Sequence, residues 1–188
     1  MLQQILHLLV TVAVDIFTLL VLLRLMLQGA KADFYNPISQ FIVRATDPLL
    51  KPIRRMIPGL WGIDMASVAL ALLVQCAGIL LLTLLSGQVL TNPFAYLLIA
   101  IFNTAEILLQ FYFFAIIILV VISWVAPTTY NPAAVLLQQV TDPIIRPVRS
   151  ALPDMGGLDF SPMVVLFVIY ILRSIVMPGL LATLGGFL

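Results

Sequence analysis

The chain has 188 residues, of which 63% are hydrophobic and only 9% charged, with a net charge of +1 and a mean hydropathy of +1.19. A water-soluble domain is about 25% charged and about 45–50% apolar, so this composition cannot cover a surface that faces water. It excludes a large extramembrane domain and places the chain in lipid. Cys76 and His7 are the only residues of their kinds, which excludes an intrachain disulfide, a CxxC redox pair and a CxxCH haem attachment site.

The first apolar run starts at Met1 and continues past Leu27, interrupted only by His7, Asp15 and Arg24. A signal peptide carries its cations ahead of the apolar core; here the first cation, Arg24, stands at the far end, so the run predicts a retained transmembrane helix. A loop follows with Tyr35-Asn36-Pro37, Thr46-Asp47-Pro48, Lys51-Pro52, Arg54, Pro58, Gly62 and Asp64. Asp47-Pro48 predicts a helix N-terminus, with the carboxylate as cap and proline at the first position. Pro52 then predicts a kink, giving a short segment that alternates apolar side chains with Lys51, Arg54 and Arg55. Such a segment suits the headgroup plane, as an anchor that fixes helix tilt or as a docking surface. Tyr35 is expected as an interfacial aromatic and Asn36-Pro37 as a turn. Asp64 is expected to cap the second span, Met65 to Leu85.

Asn92 is expected to cap the next run, Pro93 to Val125, which as one straight helix is about 50 Å long at about 1.5 Å per residue. That exceeds a hydrocarbon core of about 30 Å, so Pro93 to Phe102 is predicted to lie partly in the interface. A second loop then carries Tyr130-Asn131-Pro132, Thr141-Asp142-Pro143, Arg146-Pro147, Arg149, Pro153, Gly157 and Asp159, and the last span is Met163 to Leu184. Every motif residue of the second loop stands 95 positions after its counterpart in the first, without a gap. Matches of Tyr, Asn, Asp, Pro, Arg and Gly in loops do not arise from two apolar helices alike by chance. We divide the chain into two repeats, 1–92 and 93–188, each of two spans around one motif loop, inserted in the same orientation. The fold class expected is an all-α, polytopic membrane protein with four transmembrane helices and short interfacial helices.

Seven of the nine Lys and Arg residues lie in the motif loops. Excess cations on one side predict cytoplasmic loops and periplasmic termini. Within the spans, ionisable groups are costly and are the default functional candidates. By depth, Asp15 and Arg173 are expected to face each other as a pair. Together with Gln75, Gln110 and Tyr170 they form a predicted polar seam: a network joining four helices, a proton or ion path, or a partner or cofactor contact. Arg24 is expected to snorkel to the boundary. No phosphate loop, nucleophile elbow or zinc pair occurs, so no catalytic residue, metal or cofactor is assigned, and nucleic acid is not an expected partner.

The duplicated loop, with its Tyr-Asn-Pro, Thr-Asp-Pro with following Pro and Arg, and Asp before the next span, resembles the YggT (YlmG) family of integral membrane proteins, in its two-unit bacterial form. The resemblance implies a bacterial inner-membrane protein linked to osmotic-stress tolerance or to cellular organisation and assembly, with no catalytic residue to carry over. The residues at issue are Tyr35, Asn36, Pro37, Asp47, Pro48, Pro52, Arg54 and Asp64 in the first loop, and Tyr130, Asn131, Pro132, Asp142, Pro143, Pro147, Arg149 and Asp159 in the second. Anionic lipid, a protein partner or a second copy are the partners expected. A non-enzymatic assembly or stress-tolerance factor is the function expected, with a small oligomeric ion or osmolyte conductor as the alternative.

Overall fold

Four helices are long and apolar enough to cross a membrane, as hydrophobic runs of this length require. The chain, seen here as a computed structural model, is described over residues 1–60, 62–88, 90, 92–125, 131–153 and 159–184. The elements are α1 (Leu2–Gly29), α2 (Pro37–Met56), α3 (Met65–Ser86), α4 (Pro93–Val125), α5 (Pro132–Ala151) and α6 (Ser161–Ile171). A π-helical turn (Leu172–Val176) follows and leads directly into α7 (Met177–Leu184). The spans are α1, α3, α4 and the run from α6 into α7. This is a multi-pass membrane protein.

Helices α2 and α5 differ from the short kinked segments expected from sequence. Each is a continuous helix of 20 residues with two prolines inside it, Pro48 and Pro52 in α2, Pro143 and Pro147 in α5. Their N-termini lie 11 residues before the Asp-Pro steps, at Asn36 and Asn131. There each Asn side chain accepts a hydrogen bond from the second residue onward, Ile38 or Ala133, at 2.9 Å, and proline takes the first position. Asp47 and Asp142 are therefore interior residues, not caps. The physical reason is amphipathicity: Ser39, Ile42, Thr46 and Leu50 recur at helical spacing and are buried, while Pro48 and Pro52 are exposed. A carbonyl that loses its N–H partner to proline on the outer face can be solvated, so packing of the inner face holds the helix together.

Helix α4 runs unbroken for 33 residues. Asn92 caps it as expected, accepting from the Phe94 N–H at 3.0 Å. Its first turns lie along α3, where the Cys76 thiol donates to the Tyr96 carbonyl at 3.6 Å and Ala95 and Ala100 are fully buried, and the Tyr96 hydroxyl accepts from the Leu90 N–H of the connection at 3.1 Å. The π-helical turn in the last span is explained by Pro178: a proline there removes the bond to the carbonyl four residues earlier, and the widened turn relieves the crowding.

Helices α1, α2 and α3 share one core, built from Val21, Leu22, Leu27, Ile42, Leu50 and Leu70, into which Leu136 and Val140 of α5 also insert. A second cluster joins α4, α5 and α6 through Ile116, Ile145, Val165 and Ile169. Helices α1 and α3 pack tightly at Gly78, where an added Cβ would stand 2.7 Å from Val14 Cγ1 and 2.8 Å from Cγ2. Gly78→Ala should therefore overpack the contact and destabilise the protein by about 1–3 kcal/mol. Thermal unfolding in detergent checks this. Val14→Ala added to Gly78→Ala should regain a large part of the loss, and no recovery would show that the contact is not the cause.

Candidate functional site

Among the described residues the ion pairs lie in two places: the end of the bundle where α2 and α5 lie, and the interior of the spans. At the loop end, residues 95 positions apart make matching bonds. Arg54 Nε donates to Asp64 Oδ2 at 3.1 Å and Arg54 Nη2 donates to the same oxygen. Arg149 Nε and Nη2 donate to Asp159 Oδ2 at 2.9 and 2.6 Å. The Thr46 and Thr141 hydroxyls each donate to the carbonyl four residues earlier, at 2.8 Å. Each Arg–Asp pair ties the last turn of a loop helix to the start of the following span.

The two carboxylates differ in what else they hold. Asp64 stands at the cap position of α3 but makes no side-chain bond to a backbone N–H; it accepts instead from the Ser67 hydroxyl at 2.6 Å and is 6% exposed. Asp159 does bond the backbone, accepting from the Ser161 N–H at 2.9 Å. Burial of Asp64 works against its ionisation, but the bonds from Arg54 and Ser67 outweigh it and hold the carboxyl below its ordinary value. Asp159 is lowered too, its partial burial being outweighed by Ser161 and Arg149. A carboxyl depressed on folding contributes stability that is complete above the unfolded value and is lost as the pH falls through the folded one. The stability advantage of the wild-type chain over Asp64→Asn should thus be constant above pH 5 or so and shrink as the pH falls below the ordinary 3.8. Unfolding midpoints across an acid series measure it; a gap that stays constant down to pH 2 or so, below the usual carboxylate range, would show that the Asp64 charge is not involved.

The first loop has an addition that the second lacks. Arg24, expected to snorkel, is instead 6% exposed and turned inward onto α2. Its Nη1 meets Asp47 Oδ1 at 2.7 Å, Thr46 Oγ1 at 2.8 Å and the Val43 carbonyl at 3.1 Å. Lys51 holds the other Asp47 oxygen at 3.0 Å, and bonds from Lys51 and Arg24 keep this carboxyl low. Ninety-five positions after Arg24 stands Leu119. Asp142 accordingly has only Arg146, at 3.7 Å on the same helix, among the described residues. Two bonds also join the loops to each other: Asn36 Nδ2 donates to the Pro132 carbonyl at 2.9 Å, and the Asp33 N–H to Gln139 Oε1 at 3.1 Å. Tyr35 is 89% exposed, and Tyr130 lies outside the described residues.

Inside the membrane the predicted seam divides. Gln75, 2% exposed, donates to Asp15 Oδ1 at 3.2 Å and to Thr18 Oγ1 at 3.1 Å, and accepts from Asn103 Nδ2 at 3.3 Å. Arg173 does not meet Asp15. It meets Glu106, through Nε at 2.7 Å and Nη2 at 2.6 Å, with its guanidinium 6.0 Å from the centre of the Phe113 ring. Depth placed Asp15 and Arg173 at one level, but depth does not say which face of a helix a residue occupies; Arg173 emerges from the π-helical turn toward α4. Gln110 and Tyr170 are exposed on the outside of the bundle and join neither cluster. Asn103 and Glu106 were missing from the predicted seam. Glu106 is an ionisable group within a span, and its partner Arg173 stands 67 positions away on another helix, a pairing that no local pattern announces.

Among the described residues no cluster of His, Cys, Asp and Glu is arranged to hold a metal ion. A cleft of about 510 Å³ opens at the loop end between α1, α2 and the start of α3, with Arg24, Arg54 and Asp64 in its wall.

The family model described as CCB3/YggT matches residues 3–85 and again 98–180. An uncharacterized protein of Pseudomonas aeruginosa is 45% identical over 172 residues, covering 91% of this chain and 87% of its own. The uncharacterized protein YggT of Escherichia coli K12 is 35% identical over 178 residues, covering 93% and 90%. An uncharacterized protein of Haemophilus influenzae is 32% identical over 173 residues, covering 92% and 90%. No solved structure matches the chain.

Proposed function

We propose, from the premise that this chain belongs to the CCB3/YggT family, that it is a non-enzymatic assembly, organisation or osmotic-stress tolerance factor acting through its two loop helices. The observation that carries this is the pair of Arg–Asp ties, Arg54–Asp64 and Arg149–Asp159, which fix α2 and α5 to the ends of the spans. Side-chain positions at this end are thereby set in advance, which lowers the ordering cost of binding. Arg44, Arg55 and Arg146 stand exposed there beside Phe41, Leu49 and Met56, a mixture that suits anionic headgroups and a protein partner at the membrane surface.

The polar contacts within the spans favour a scaffold over a conductor. Gln75 is buried and bonded to Asp15, Thr18 and Asn103, and Gln110 and Tyr170, needed for a continuous seam, face outward. We place the protein in the bacterial inner membrane with the loops cytoplasmic and both termini periplasmic, on the strength of the seven cations in the loops. Gentle crosslinking and co-purification of the full chain should recover a specific partner or a defined homo-oligomer, and loop-surface changes such as Arg44→Glu should weaken it. Liposomes containing the pure protein should show no ion flux under an osmotic gradient. Flux without a partner would replace the scaffold by the conductor.

A further inference from the structure

The cleft at the end of α1 has features that general attraction of loop cations to a membrane does not call for. Arg24 lines it as a nearly buried guanidinium whose Nη1 holds all three of its acceptors. Its Nε and Nη2 have no protein partner among the described residues and are not fully buried, so the remaining donors of a five-donor guanidinium are open to water or a ligand. Arg54 stands across the cleft, with Nε and Nη2 on Asp64 and Nη2 also 3.4 Å from Gln28 Oε1, while Nη1 has no partner among the described residues. Two guanidinium groups and one carboxylate line the cleft; that carboxylate is committed to Arg54 and Ser67, and Arg24 is paired through Nη1 with Asp47 outside the wall, so what the cleft offers a ligand is the free N–H groups of the two arginines. The rest of the wall is largely apolar, with Phe34, Val43 and Ile57.

We propose that this cleft binds the phosphate group of an anionic phospholipid. Planar guanidinium forks match phosphate oxygens, and the free N–H groups of Arg24 and Arg54 give them donors from two sides. The apolar wall suits the glycerol and the first methylenes of a lipid rather than a free ion. The volume lies within the range of small-molecule sites, about 300–1,000 Å³. Arg24 lies five residues, about 7.5 Å, before the end of α1, a depth suited to a headgroup drawn slightly into the protein. The second half of the chain supplies a control of its own. Positions equivalent to Arg24, Gln28 and Val43 hold Leu119, Ser123 and Gln138, so the site belongs to the first half alone. It rests on the placement of the loop helices at the headgroup level, as in the function proposed above.

Gln28 is the position for the test, because it is exposed and its change leaves the Arg24–Asp47 and Arg54–Asp64 pairs in place. The full-length protein in nanodiscs or detergent is titrated with phosphatidylglycerol, with phosphatidylcholine and with inorganic phosphate, and bound molecules are counted by native mass spectrometry. The wild-type chain is expected to retain one phosphatidylglycerol against a phosphatidylcholine background. Gln28→Glu, which places a carboxylate in the cleft, should weaken that binding at least tenfold, and Gln28→Trp, which fills it without a charge, should do the same. Ser123→Glu, at the equivalent position of the second half, should leave it unchanged. Resistance to millimolar inorganic phosphate supports a lipid source, and displacement by it supports the same phosphate chemistry from a soluble source. Equal retention by wild type, both Gln28 variants and Ser123→Glu would overturn the site while leaving general headgroup attraction intact. Loss of all preference for phosphatidylglycerol in the wild type would overturn the site and the headgroup placement together.

Discussion

Arg24→Leu should destabilise the protein by about 3 kcal/mol or more, the largest single effect expected at the loop end. The change gives the first half of the chain the residue that the second half carries at Leu119. Its cost is not lost burial, since leucine is apolar and the site is nearly closed. It comes from the acceptors left behind: Asp47 loses its nearer cation, and Thr46 Oγ1 and the Val43 carbonyl lose a donor. Asp47 is 25% exposed as a side chain and keeps Lys51, which sets the effect toward the lower end of the range for a broken buried pair. Adding Asp47→Asn to Arg24→Leu removes the stranded charge and should recover about half of the loss. Unfolding midpoints in detergent measure both. If Arg24→Leu unfolds within about 0.5 kcal/mol of wild type, as an ordinary surface substitution does, the pair is not structural.

What the sequence makes legible here is set by whether a feature is one-dimensional. Span lengths are, because about 20 apolar residues are needed to cross lipid whatever they pack against; all four spans are where the apolar runs lie. Motif spacing is too, and Arg54–Asp64 and Arg149–Asp159 both form across the same ten positions. The misplaced features depend on a third dimension. Asp47-Pro48 has the local chemistry of a helix start, but Ser39, Ile42 and Thr46 bury a continuous stripe through it, and packing overrides two prolines. Asn36-Pro37 carries the same local start signal, and the buried stripe that begins at Ser39 decides between the two. Arg24 has a side chain long enough to reach the boundary, and nothing in its neighbours along the chain announces that Asp47, 23 positions on, lies closer. Asp15 and Arg173 share a depth but not a face. The equivalence of positions 95 apart contained the needed hint, since Arg173 corresponds to Gly78 and Glu106 to Thr11. Charge replaced small size at both, in register.

That replacement defines the second large effect. Where α1 and α3 close together over Gly78, the last span instead carries Arg173, which reaches across to Glu106 on α4, the side chains being 27% and 39% exposed. Removing either partner leaves the other in apolar surroundings, yet the two removals are not equivalent. Removing Glu106 strands a guanidinium, which keeps its charge in any surroundings and has five donors to satisfy, against the two acceptor oxygens left by removing Arg173. Glu106→Gln should therefore cost more than Arg173→Gln, up to about 3 kcal/mol, the scale for an arginine placed within a membrane helix. Exposure of both groups at the bundle surface gives Arg173 some relief toward the interface and lowers that figure. Glu106→Gln with Arg173→Gln should recover most of the loss, because two neutral amides can bond each other where two charges stood. The reversed pair, Glu106→Arg with Arg173→Glu, should recover less, since a glutamate at 173 has a shorter reach toward α4 than the arginine it replaces. Protein level in the membrane and unfolding midpoint in detergent read all four variants. Equal losses for the two single changes would mean that the surroundings of this pair are wet, and the ranking built on an unpaired guanidinium would fall.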